Sequence, residues 1–221
     1  MSKTRFLSLV CASLLASGGA LAAPCTGTYP ATEPLATTDV TLSGQASDAC
    51  HGVIDGNVNA PSDANAALAG TALGAGWSSS FINSSGSLST DWLGLRFTLA
   101  VSGSGTTLGS YTLTVSDLPG LPDLPTYVDL LVAVKAGRQW AAYLFDEELI
   151  NIDAKTGTWS VKFDNDPNPP FAALSHLGLF IRTGQTPTEV CLTCPRTVPE
   201  PSPLLLLGVL LVAPWLRRRR V

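Results

Sequence analysis

From Trp77 onward the chain alternates apolar and polar residues again and again with a period of two, a pattern compatible with little except β-strands. Leu93, Leu95, Phe97, Leu99 and Val101 alternate with Gly94, Arg96, Thr98 and Ala100. Successive side chains of an extended chain point to opposite faces, so this segment predicts a strand with one buried and one solvated face. Tyr111, Leu113 and Val115 alternate with Thr112 and Thr114 in the same way. Val128, Leu130, Val132 and Val134 belong to a run that is apolar on much of both faces, which predicts a more deeply buried strand. A tight turn at Ala136-Gly137 leads straight into Trp140 to Phe145, so these two strands read as a hairpin. Lys155-Thr156-Gly157 reads as a turn before Trp159, Val161 and Phe163, and Leu177, Leu179 and Ile181 make a late strand. Pro119, Pro122, Pro125, Pro167, Pro169 and Pro170 stand between these runs, where they cost no ladder hydrogen bond.

No long amphipathic helix interrupts the series. Parallel strands need crossover helices, so the sheet is expected to be antiparallel, and about seven to nine such strands most often form a two-layer sandwich. The expected fold is therefore all-β: an antiparallel two-layer β-sandwich, jelly-roll-like, with a C-terminal hydrophobic helix. A barrel is the alternative. An outer-membrane barrel would need a continuous outward apolar band and aromatic girdles, and a propeller or solenoid would need an internal repeat; neither signature is present. Residues 24–75 are rich in Ala, Thr, Ser, Gly, Asn and Asp, with one strand expected at Asp39 to Leu42, and read as loop-rich.

The two ends differ from this body. Lys3 and Arg5 precede a mostly apolar stretch from Phe6 to Leu15, and Ala20-Leu21-Ala22 fits a small-x-small cleavage site, which predicts a secretory signal peptide over residues 1–22. A lipoprotein signal would need cysteine directly after a small residue, and Pro24 separates Leu21-Ala22-Ala23 from Cys25. At the other end Val198-Pro199-Glu200-Pro201-Ser202 precedes an uncharged run from Pro203 to Leu216 and then Arg217, Arg218, Arg219 and Arg220. As a helix, Leu204 to Leu216 is about 20 Å long against a hydrocarbon core of about 30 Å, short for a lasting span. Four arginines cross a bilayer only at high cost and favour the cytoplasmic side, which puts everything before Val198 on the far side. Pro199 and Pro201 hold Glu200 in a stiff, helix-free peptide beside the membrane.

This C-terminal segment resembles the PEP-CTERM sorting signal of Gram-negative bacteria, in which a Val-Pro-Glu-Pro box, a short hydrophobic helix and an Arg-rich end follow in that order. The resemblance covers residues 198–221 and says nothing of the body. It implies recognition by an exosortase, a membrane-embedded cysteine protease and transpeptidase, with cleavage near the box. It also implies an inner-membrane precursor, a mature form at the cell surface or outside it, and association with exopolysaccharide and biofilm. The expected organisation is a signal peptide at 1–22, a loop-rich part at 23–75, a sandwich core at 76–194, a linker and box at 195–202, and the hydrophobic helix and Arg-rich end at 203–221.

Without its ends the body is acidic. All of the 17 acids except Glu200, but only seven of the 13 bases, lie between residues 23 and 197, a net charge of −9. Nucleic acid and anionic lipid need a basic face, so neither is expected as a partner; extracellular polysaccharide and divalent cations stay open. Four of the five cysteines lie in the body: Cys25, Cys50, Cys191 and Cys194. An even number in an exported chain favours disulfides, and of the three possible pairings Cys25 with Cys50 and Cys191 with Cys194 are favoured as neighbours in sequence. The Cys191-Leu192-Thr193-Cys194 spacing also suits zinc or a redox pair, but His51 and His176 are the only histidines and no companion motif supports either.

Chemistry-bearing patterns are few. Asp146-Glu147-Glu148, expected in a loop after a strand, has the residue types of a glycosidase acid/base pair but reads first as a solvated loop. Asp164-Asn165-Asp166-Pro167-Asn168 has the oxygens of a calcium loop, yet Pro169 stands where glycine is needed and Ser175 where a bidentate glutamate is needed. Asp48, His51, Asp55 and Asp63 lie near one another, with Asp55-Gly56-Asn57 reading as a turn. No Gly-x-Ser-x-Gly elbow, phosphate-binding loop or cofactor motif occurs, so no catalytic residue, metal site or cofactor is expected. Trp77, Trp92, Trp140, Trp159, Tyr111, Tyr127 and Tyr143 are enough for a sugar-stacking platform if several share an exposed face, but most are expected in the core. Trp140 and Tyr143 should point to opposite faces of one strand, with at least one exposed. Three readings follow: a non-enzymatic surface or matrix protein, a carbohydrate-binding module, and an exported glycoside hydrolase.

Overall fold

The computed structural model describes residues 22–27, 34–119, 124–163 and 172–184. Eleven strands and one α-helix of eight residues form within them. The strands are β1 (Val40–Leu42), β2 (Gln45–Ala46), β3 (Ala49–Asp55), β4 (Ser79–Asn83), β5 (Gly86–Trp92), β6 (Leu95–Ser102), β7 (Leu108–Asp117), β8 (Thr126–Ala136), β9 (Gln139–Ile150), β10 (Lys155–Ser160) and β11 (Leu174–Thr183). The helix, α1, spans Pro61–Leu68. They build two antiparallel sheets, one ordered β2-β1-β10-β7-β6-β5 and the other β3-β9-β8-β11-β4. The fold is thus all-β and two-sheeted, as the alternation predicts.

The core follows from the period of two. In β6 the buried residues are Leu95, Phe97, Leu99 and Val101, and in β7 they are Tyr111, Leu113 and Val115. They meet Val128, Leu130, Val132 and Val134 of β8 and Leu177, Leu179 and Ile181 of β11 in one apolar cluster between the sheets. The Ala136-Gly137 turn joins β8 to β9 as a hairpin in which Ala136 pairs with Gln139 and Val132 with Tyr143. Leu93 and Gly94 form the turn before β6, which starts at Leu95.

The five-stranded sheet is buried on its other face too. Leu131, Ala133, Trp140, Ala142, Leu144 and Phe180 point away from the first core and pack under Val58, Ala64, Leu68, Leu73 and Trp77. These last five come from α1 and its flanking loops, a third layer that the loop-rich reading of residues 24–75 does not contain. The helix has a short apolar face, Ala64 and Leu68, too little for a helical period to stand out. Pro61 fits its first turn, where no N–H is needed, and the Asp63 carboxylate accepts from the N–H groups of Asn59 (2.8 Å) and Ala60 (3.2 Å). The same region supplies β1, β2 and β3, so both sheets draw strands from ahead of residue 76.

Two further expectations change. Lys155-Thr156-Gly157 is no turn but the start of β10, paired with Leu113, Thr112 and Tyr111. A Cβ on Gly157 would strike the Tyr111 ring and the Thr41 carbonyl, so glycine marks a close approach inside a strand. Trp140 and Tyr143 do point to opposite faces, but neither is exposed, at 1 % and 0 %. The third layer covers Trp140. Trp140→Ala is therefore expected to cost about 3–5 kcal/mol of stability, as for any large buried aromatic. Chemical denaturation checks this, and a loss under about 1 kcal/mol, typical of surface changes, would deny the third layer.

Candidate functional site

Cys25 and Cys50 form the expected disulfide. It pins the N-terminal segment beside β3, where the Thr26 N–H donates to the Cys50 carbonyl (3.0 Å) and the Gly52 N–H to the Thr26 carbonyl (3.0 Å). The Thr26 hydroxyl also hydrogen-bonds His51 Nδ1 at 2.9 Å, and burial holds the His51 imidazole below its ordinary pKa. Cys191 and Cys194, the sorting residues Val198, Pro199, Glu200, Pro201 and Ser202, Arg217 to Arg220, and the Asp164 to Asn168 pattern lie outside the described residues.

Asp146, Glu147 and Glu148 lie within β9 and not in a loop. Val128 pairs with Glu148 and Leu130 with Phe145, so β9 carries one extra residue opposite Asp129, and Glu147 sits at φ +52°. The bulge frees two amides, and carboxylates take both: Asp146 N–H donates to Asp48 (2.8 Å) and Glu147 N–H to Asp129 (3.1 Å). Asp129, 6 % exposed, is paired in turn with Arg182 at 2.6 Å. Arg182 donates to the Leu73 and Ala75 carbonyls (both 3.0 Å), and its guanidinium lies 4.3 Å from the centre of the Trp77 ring. Glu148 pairs with Lys155 at 2.7 Å. Asp48 and Asp129 thus secure the bulge that carries the acidic run, and Asp129 with Arg182 ties it to the layer beyond.

Asp48, Asp146 and Glu148 also line a cavity of about 420 Å³ with Thr37, Gln45 and Ser47. Burial, together with the Asp129 and Glu147 carboxylates, holds the Asp146 carboxyl above its ordinary value of 3.8, and Arg182 opposes this only in part. Among the described residues no group of three or more His, Cys, Asp or Glu could hold a metal ion, and no helix is long and apolar enough to cross a membrane. Asp63 caps α1, and Asp55 accepts from Gln139 (3.0 Å) beside the Gly56 turn, so Asp48, Asp55 and Asp63 serve three separate structural contacts.

Most of the aromatic residues belong to the core, as expected. Trp77, Trp140, Trp159, Tyr111 and Tyr143 are buried. Trp92 and Tyr127 are partly exposed and border a cleft of about 490 Å³ at one end of the sandwich, with Leu93, Gly94, Leu95, Thr126 and Thr183. None of these lining residues is charged. Trp92 is held edge-on to Phe97 (centroids 6.2 Å apart) and donates its indole N–H to the Ser78 hydroxyl at 3.0 Å. Leu93 stands 63 % exposed at φ +46°, where a branched side chain is disfavoured.

The outer face of the six-stranded sheet is paved with hydroxyls. Thr41, Thr158, Ser110 and Ser102 lie in register across four strands. Ser89, Thr98 and Thr114 make a second row, and Ser87, Ala100, Thr112 and Thr156 a third. Hydroxyls bond across strands at Thr41 to Thr158 (2.8 Å), Ser89 to Thr98 (2.7 Å) and Ser102 to Ser110 (2.8 Å). Asp91 and Arg96, which form an ion pair at 2.8 Å, are the charges in these rows and the adjoining Ser116 row. The polar positions of the alternation carry this pattern in the sequence, where it marks a solvated face. No protein-family model, curated protein or solved structure matches this chain.

The placement of Asp146 gives a pH prediction. Because its folded pKa is raised, the native state binds more protons than the unfolded one between 3.8 and the raised value, so this group's contribution to stability falls as pH rises through that window. At neutral pH its charge opposes folding. Asp146→Asn is expected to melt at or above the wild-type temperature at pH 7, with the advantage shrinking toward pH 4. Paired melting curves at the two pH values check this; a variant less stable at pH 7 than at pH 4, relative to wild type, contradicts the assignment.

Proposed function

We propose that the chain is an exported, non-enzymatic surface or extracellular-matrix protein, sorted by its C-terminal segment as an exosortase substrate, whose sandwich is a structural or adhesive module. The observation that carries this reading is the coincidence at one terminus of Val198-Pro199-Glu200-Pro201, a short uncharged run and Arg217 to Arg220. The Cys25–Cys50 disulfide is consistent with an oxidising compartment outside the cytoplasm. In this reading the C-terminal helix holds the precursor in the inner membrane, Cys191 pairs with Cys194, the mature body reaches the cell surface or medium, and its chain path is jelly-roll-like. Asp48 and Asp129 hold the bulge through its amides and Glu148 is paired with Lys155, which supports a structural role for the bulge that carries the acidic run.

Replacing Pro199-Glu200-Pro201 by alanines is expected to leave the unprocessed form in the inner membrane. Cell fractionation with an antibody to the body reads this out. Arrival of the variant at the surface at wild-type size refutes the sorting assignment.

A carbohydrate-binding reading is favoured by one observation, the uncharged cleft between Trp92 and Tyr127. Sugar C–H faces stack on aromatic rings, whereas a hydroxyl face by itself only exchanges water hydrogen bonds for equivalent ones. Tyr127→Ala is expected to remove pull-down of the protein by bacterial polysaccharides with little change in melting. Equal retention of wild type and variant on the same polysaccharide would exclude the cleft.

A further inference from the structure

A sheet edge is a row of unpaired N–H and C=O groups, and proteins protect such edges from one another. Among the described residues three of the four edges are protected. β2 is two residues long. β3 has a register break between His51 and Ile54 and is covered by the bridge from Thr26 and the Cys25–Cys50 disulfide. β4 is short and half-buried. β5 is different. It pairs with β6 in unbroken register over seven residues, Gly86 to Trp92, and is the terminal strand of its sheet. Its first four residues are exposed on both faces. It has no lysine, proline or bulge, and its one charge, Asp91, is neutralised by two hydrogen bonds from Arg96 (2.8 and 2.9 Å).

We propose that β5 pairs antiparallel with β5 of a second copy of this chain, about a two-fold axis at Ser89, joining the two six-stranded sheets into one. Every second residue of β5 turns its backbone N–H and C=O away from β6, so the free edge can close a new ladder. The two-fold places Ser89 opposite itself, Ser87 opposite Asp91 and Leu88 opposite Thr90. On the outer face small hydroxyls meet, and the Ser87 hydroxyl can donate to the partner's Asp91 carboxylate. On the other face Leu88, 43 % exposed, gains the partner's Thr90 methyl as cover. The body is strongly acidic and repels copies of itself, yet this edge is electrically neutral, which makes it the strip on which two copies can approach. A single strand pair is a small interface, so the dimer is expected to be concentration-dependent. The proposal does not rest on the sorting reading.

The test is trapping in the full chain, purified in detergent. Ser89→Cys is expected to form an intermolecular disulfide between two copies of position 89, recovered by peptide mapping, whereas Thr114→Cys on the same hydroxyl face is not. Ser89→Lys sets like charges opposite each other and is expected to weaken the dimer about tenfold or more in light scattering, with its melting curve unchanged. Three results would overturn the pairing: equal cross-linking at positions 89 and 114, a wild type that stays monomeric at every concentration tested, or a Ser89→Lys variant that dimerises as wild type does. Sorting defects have no bearing on any of these readouts.

Discussion

The structure depends on a sheet that is apolar on both faces. In β8 the even-numbered residues from Val128 to Val134 face the other sheet, while Leu131 and Ala133 face outward, and Trp140, Ala142, Leu144 and Phe180 extend that outward surface. Left in water it would forfeit roughly 25 cal/mol for each Å² of apolar area exposed. Residues 49–77 answer this requirement. They lay α1 and its flanking loops over Trp140 and Phe180 and add β3 to the edge of the same sheet. A chain that looks loop-rich in sequence thereby acts as the cover without which the central hairpin could not stay in solution as a folded unit.

The cover is fastened by charge as well as by apolar contact. Arg182, at the end of β11, pairs with buried Asp129, lies over Trp77 and donates to two carbonyls of the covering loop. A buried ion pair is weak evidence of net stabilisation, but removal of one partner leaves an uncompensated charge, so the pair fixes where the loop sits. Asp129 also takes the Glu147 amide of the β9 bulge. One carboxylate therefore couples the bulge, the last strand and the third layer. The run Asp146-Glu147-Glu148 lies where its own amides are held by Asp48 and Asp129, with Glu148 paired to Lys155.

The outer face of the other sheet, uncovered among the described residues, presents a different physical situation. Its outward positions are mostly serine and threonine, bonded across strands, with one compensated ion pair. Hydroxyls keep such a face soluble without adding charge, and threonine suits the pleat. Among the described residues the other acids lie at strand ends, on α1, in the connecting segments and around the bulge. A neutral face ending in the unprotected β5 edge, on an acidic body, is an arrangement suited to contact between neutral surfaces.

Residue periodicity alone determined the strands at Leu95 to Val101, Tyr111 to Val115, Val128 to Val134 and Leu177 to Ile181, because alternation dictates which side chains share a face whatever partner that face meets. The Ala136-Gly137 turn and the lack of crossover helices pointed to the β8–β9 hairpin and the antiparallel class, while sequence proximity only favoured the Cys25–Cys50 bridge among three pairings and the tertiary structure decided it. Periodicity could not reveal α1, whose buried face is two residues, nor that Gly157 lies in a strand, since only the Tyr111 ring crossing it requires glycine there. Nor could it tell that Trp140 is covered, because a face's exposure depends on what packs against it from far along the chain. The same holds for the acidic run. Three adjacent carboxyl groups look alike in sequence, and only the tertiary structure decides that Asp129 takes the Glu147 amide, that Glu148 pairs with Lys155 and that Asp146 lines a cavity.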